Sequence, residues 1–69
     1  MDITFVKVRA DGIHVDCYSS SGNYETSIHP CTACPISTAM IQGNRIVIQG
    51  TNGRTDIYDI DSANYLMSV

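Results

Sequence analysis

Short stretches of alternating apolar and polar residues, punctuated by turn residues, fill this chain from end to end. Residues 3–8 form a β-prone run, and Asp11-Gly12 follows as a two-residue hairpin signal. In residues 13–18, Ile13, Val15 and Cys17 point one way and His14, Asp16 and Tyr18 the other. After a loop at 19–23, residues 24–29 alternate again, with Tyr24, Thr26 and Ile28 on one face. Residues 37–42, 45–49, 55–61 and 64–69 complete the series, separated by Gly43-Asn44, Thr51-Asn52-Gly53 and Asp61-Ser62-Ala63. No segment keeps a helical period for long; 62–67 is too short. The pattern predicts one all-β domain over residues 1–69, with about seven short antiparallel strands in a meander. A single open layer of this kind leaves two edges, and pairing between chains is the natural way to cover them.

Length sharpens that point. A 69-residue chain buries only about 60% of the surface its unfolded form exposes. Chains of this size usually lean on disulfides, a metal or oligomerisation. The cysteines are three, Cys17, Cys31 and Cys34, and segment 1–10 is interrupted by Asp2, Lys7 and Arg9, unlike a secretory leader. Reduced thiols in a cytoplasmic protein are therefore expected. The longest uncharged run, 26–44, is rich in Ser, Thr, Pro and His and does not suit a membrane span. Net charge is −3 with only four basic residues, Lys7, Arg9, Arg45 and Arg54. Nucleic-acid binders normally carry a basic footprint, so such a partner is not expected.

With the strands in place, two blocks resemble the tryptophan RNA-binding attenuation protein family. Residues 2–15 match a hydrophobic strand with a lysine, then Asp11-Gly12, then a second strand, and continue to Thr26 and His29. Residues 41–69 match the last strands of that family without a gap. The resemblance implies a closed homo-oligomeric ring in which sheets continue from one subunit to the next. It also implies ligand pockets between subunits, built from two loops corresponding here to residues 19–26 and 50–56. The implied ligand-binding residues are Ser19, Gly22, Thr26, Gly50, Thr51, Asn52, Thr55 and Asp56. Their amides, hydroxyls and carboxylate suit a small polar or zwitterionic molecule, tryptophan-like or other. Ordinary turn chemistry is the simpler account of the same residues. The family's basic rim is not matched: the corresponding positions are Met40, Asp59 and Asp61. Asp59 and Asp61 on one strand would share a face roughly 7 Å apart and repel phosphate.

Segment 30–39 is longer than the family's connection and holds the most distinctive chemistry, His29-Pro30-Cys31-Thr32-Ala33-Cys34-Pro35. Two prolines so close forbid a central strand. The expectation is a mobile or interface-forming excursion between the third and fourth strands. Cys31 and Cys34 form a Cys-x-x-Cys knuckle, and His29 supplies a third candidate zinc ligand. With no local fourth ligand, two small residues in a packed loop is the alternative, and no cofactor is expected. Asp56, Asp59 and Asp61 read as a solvated strand face, with Arg54 a candidate partner. Tyr58 with Ile60, and Tyr65 with Met67, read as packing surface. No nucleophile elbow accompanies the Ser, His and Asp residues, so an enzyme is not expected. The expected function is a non-enzymatic, ring-forming small-molecule-binding protein, a sensor or a sequestering protein. The alternatives are an RNA-binding regulator of the attenuation type and a protein-interaction module whose acidic rim meets a basic partner.

Overall fold

A computed structural model describes residues 2–69; Met1, where segment 1–10 begins, lies outside the described residues. Seven strands follow in chain order: β1 (Phe5–Val8), β2 (Val15–Tyr18), β3 (Tyr24–Ile28), β4 (Ile36–Gln42), β5 (Arg45–Gly50), β6 (Thr55–Asp59) and β7 (Tyr65–Ser68). The all-β architecture agrees with the alternating pattern, and every pairing is antiparallel. The expected single layer is not formed. Strands β1-β2-β3 make a three-stranded sheet and β4-β5-β6-β7 a four-stranded one. The break falls between β3 and β4, where Pro30 and Pro35 have no amide to give to a ladder.

Side chains set several strand ends. Asp11 Oδ1 accepts the N–H groups of Ile13 (2.9 Å) and His14 (3.2 Å), which holds Ile13 in the turn and delays β2 until Val15. Asp59 Oδ2 accepts the Ser62 N–H (3.0 Å) and hydroxyl (2.9 Å), and the Ala63 N–H donates to the Asp59 carbonyl. β6 therefore stops at Asp59, and Asp61 sits in the turn, not beside Asp59 on a strand. A bulge alters a third expectation. Cys17 pairs with Thr26 but Tyr18 with Tyr24, so Glu25 is the extra residue. Tyr24 is thereby moved off the face of Thr26 and Ile28 and lies against Tyr18, with ring centres 6.1 Å apart. Phe5 stacks on the other side of Tyr18 at 5.0 Å, so three aromatics cross the outer face of the first sheet.

The inner faces close on one another. Ile3, Val15, Cys17 and Ile28 come from the first half of the chain, and Ala33, Ile36, Ile46, Ile48 and Tyr58 from the second. Strand β1 lies against β4, and the Ile36 N–H donates to the Gly12 carbonyl at 2.8 Å, a direct link between the two halves. Tyr58 is buried and meets Tyr65 edge-on at 5.6 Å, whereas Tyr65 and Met67 remain exposed on β7. Burial of each large aliphatic side chain contributes about 1.5–3 kcal/mol. Truncating Ile48 to Ala should cost about 2–5 kcal/mol in urea unfolding, because the two inner faces cannot collapse onto the gap. Ile13→Ala, on an exposed turn residue, should stay within about 0.5 kcal/mol.

Candidate functional site

The two segments singled out from the sequence behave differently. In 19–26 the chain makes a self-contained turn. The Ser19 N–H donates to the Asn23 carbonyl (2.9 Å) and the Gly22 N–H to the Ser19 carbonyl (3.0 Å). Ser19 is 5% exposed, and its hydroxyl oxygen accepts the Asn23 N–H and contacts the Ser21 hydroxyl at 2.8 Å. Gly22 sits at φ 87, a left-handed conformation that other residues adopt only at a cost. Thr26 is half-buried on β3 opposite Cys17. The polar groups of Ser19 and Gly22 are thus spent on shaping this turn.

Segment 50–56 is turned towards the proline–cysteine loop. The Thr51 N–H donates to the Pro35 carbonyl at 2.8 Å, and the Asn52 Nδ2 to the Thr32 carbonyl at 2.7 Å. The Asn52 Oδ1 accepts the Arg54 N–H at 3.0 Å, which orients the amide. Gly50 faces the backbone of Ala33 so closely that an added Cβ would lie 2.7 Å from it, so no larger residue fits. Thr55 exchanges backbone hydrogen bonds with Val69. Among the described residues, no hydrogen bond joins segment 19–26 to segment 50–56, and the chain by itself encloses no pocket.

Asp56 is the centre of the second segment, and the expectation of a solvated strand face fails for it. It is 0% exposed. Its Oδ1 accepts the hydroxyls of Thr32 (2.5 Å) and Ser68 (2.5 Å), and its Oδ2 accepts the N–H groups of Thr32 (2.8 Å) and Ala33 (3.2 Å). The Tyr65 hydroxyl reaches Ser68 at 2.6 Å and extends the chain of hydrogen bonds to the surface. Burial alone would raise the Asp56 carboxyl, but the donors from Ser68, Thr32 and Ala33 outweigh it and hold it down at about 2. Period two along β6 puts Asp56 on the face of Tyr58, the packing face, and not on that of Asp59. The signal that could have found it is the loop itself, whose free amides between two prolines need an acceptor.

The same contacts correct the picture of the cysteine loop. It does lie between the third and fourth strands, but it is pinned at Thr32, Ala33 and Pro35, and Ala33 is fully buried. His29, Cys31 and Cys34 do not converge. The Cys31 Sγ lies 3.7 Å from the Tyr58 hydroxyl, the Cys34 thiol points at the Pro30 carbonyl (3.6 Å), and His29 lies against His14. Among the described residues, no group of three or more His, Cys, Asp or Glu side chains gathers as a metal cage. Cys17 is in the core, and burial pushes its thiol up to about 11. Of the rim positions, Met40 is half-buried on β4, Asp59 caps the β6–β7 turn and Asp61 lies within it. Among the described residues Arg9 pairs with Asp16 and the His14 ring contacts Asp11, and Arg54 does not bridge to the acidic side chains.

The molecule is thus a small all-β protein of two packed antiparallel sheets, with a buried carboxylate tying a proline–cysteine loop to the second sheet. Compared with known protein families, with curated proteins and with solved structures, the chain matches none of them.

Asp56→Ala should destabilise the protein by about 3–5 kcal/mol, because it strands buried amides and hydroxyls. Acid should act through the same group. Its carboxyl binds a proton less readily folded than unfolded, so its contribution is complete above the ordinary range near pH 4. The contribution drains away as pH falls towards about 2. Urea unfolding across this interval should show roughly 2 kcal/mol of acid sensitivity that Asp56→Asn lacks.

Proposed function

We propose that this chain is a non-enzymatic small-molecule-binding protein that assembles into a closed ring and holds its ligand between copies. The observation that carries this is the state of the sheets. Each is short; of the four strands that end them, β1 and β4 lie against each other, which leaves β3 and β7 as outer strands with backbone groups to offer. Strand β7 is also apolar where it is exposed: Tyr65, Leu66 and Met67 are all more than 40% open, followed by Val69. Outer strands of soluble proteins are ordinarily guarded by charge, proline or brevity. An apolar outer strand is better suited to a partner strand, and closing a ring removes the edge altogether.

This arrangement supports the pocket segments as well. Residues 24–26 belong to outer strand β3, and Asp56 pairs with Ser68 at the end of outer strand β7. Antiparallel pairing of β3 from one copy with β7 from the next sets the start of β3 beside the end of β7. Segments 19–26 and 50–56 then face each other across the junction, although they are separate within one chain. The exposed groups there, Thr51, Asn52 and the Tyr24 ring, are polar atoms beside an aromatic surface, which suits a small zwitterion with an apolar side chain. The acidic turn at Asp59 and Asp61 disfavours phosphate, so the ligand is a small molecule and not an RNA strand.

Sedimentation and light scattering at micromolar concentration should give one discrete oligomer, and native mass spectrometry should find small molecules retained by it. Leu66→Lys combined with Met67→Lys should yield single chains with an unchanged β-sheet circular dichroism spectrum. A natural protein that stays monomeric would sink the ring. Salt-sensitive binding of single-stranded RNA at physiological ionic strength would move the function to the attenuation type.

A further inference from the structure

A different part of the molecule carries an inference that is independent of the ring. His14 and His29 stand one step beyond the Val15–Ile28 pair, at the end of the β2–β3 ladder. Val15 and Ile28 point into the core, so the two imidazoles project together from the outer face. Their ring centres are 5.0 Å apart with a tilt of 37°. Neither ring is buried.

His14 is held on all sides. Its N–H donates to Asp11 Oδ1 and its carbonyl accepts the Arg9 N–H. Its ring Nδ1 lies 2.8 Å from Asp11 Oδ2. Asp11 is itself fixed by the turn it caps, where its Oδ1 accepts the N–H groups of Ile13 and His14. A carboxylate oxygen accepts, so Nδ1 carries the hydrogen of this contact. Nε2 lies on the other side of the ring from that contact and makes no hydrogen bond among the described residues. A histidine whose second nitrogen donates to a carboxylate is the usual arrangement at metal centres. Two imidazoles on one tetrahedral ion at about 2.0–2.1 Å each hold their ring centres roughly 5 Å apart. The pair is already at that spacing.

We propose that His14 and His29 form a two-histidine site for a divalent transition metal of the zinc class, oriented by Asp11. Both rings bind through nitrogen, and water fills the remaining positions. Imidazole selects zinc, copper and nickel over magnesium and calcium. The next outward side chain, Asp16, is taken by Arg9 at 2.7 Å and does not complete the cage. The thiols of Cys31 and Cys34 are directed at Tyr58 and Pro30 and take no part.

The test is a zinc titration of reduced, tag-free protein, followed by calorimetry and by imidazole 15N resonances. One zinc per chain should bind, with the His14 and His29 ring nitrogens shifting together and magnesium giving no response. His14→Gln and His29→Gln should each abolish that binding, and Asp11→Asn should weaken it about tenfold to a hundredfold. Both histidines lie outside the core, so circular dichroism should show the variants folded; the ring-nitrogen shifts of the natural protein decide the matter if one is not. Zinc that binds with equal affinity to the histidine variants, or that shifts cysteine resonances alone, would overturn the site. So would the absence of any binding at millimolar zinc.

Discussion

A single buried carboxylate, Asp56, holds the two least regular parts of this protein together. It belongs to β6, it fixes Thr32 and Ala33 in the proline–cysteine loop, and it receives Ser68 from β7. A buried charge is costly unless its lone pairs are filled, and here four donors fill them. The loop in turn needs the acceptor, since its own amides lie between prolines that interrupt any ladder. Each side satisfies the other. The result is that a stretch with no regular structure becomes part of the core, with Ala33 packed against Gly50 and fully buried.

This constraint shapes the rest. Because the loop is pinned on the second sheet, the chain cannot continue its meander from β3 into β4, and the halves form separate sheets that share one core. A three-stranded and a four-stranded sheet in so short a chain bury a small core and leave β3 and β7 outermost. The apolar side chains on β7 follow from the same geometry. They have no opposing layer within the chain, and their burial requires another copy or another partner.

The pocket segments and the histidine pair occupy different parts of the molecule. The pocket segments lie near the outer strands and depend on what those strands meet. The histidine pair lies at the end of the β2–β3 ladder and depends only on local geometry, namely the Asp11 turn and the inward orientation of Val15 and Ile28. Ligand binding between copies and metal binding on one copy are therefore separable properties of the molecule.

Much of the fold was legible in the order of residues. Period-two alternation and Asp-Gly, Gly-Asn and Asn-Gly turns are local signals, so all seven strands were where the pattern put them, within a few residues. Pro30 and Pro35 marked the interruption, because proline lacks the donor a ladder needs. The residues of the candidate segments were also visible, but their use was not. Whether Ser19 serves a ligand or its own turn, and whether Asn52 faces solvent or Thr32, depends on partners distant in sequence. The burial of Asp56, the bulge that moved Tyr24 beside Tyr18 and the meeting of His14 with His29 depend on strand register. Alternation along one strand says which residues share a face; only the packing of strands against one another decides which face is covered and which side chains meet.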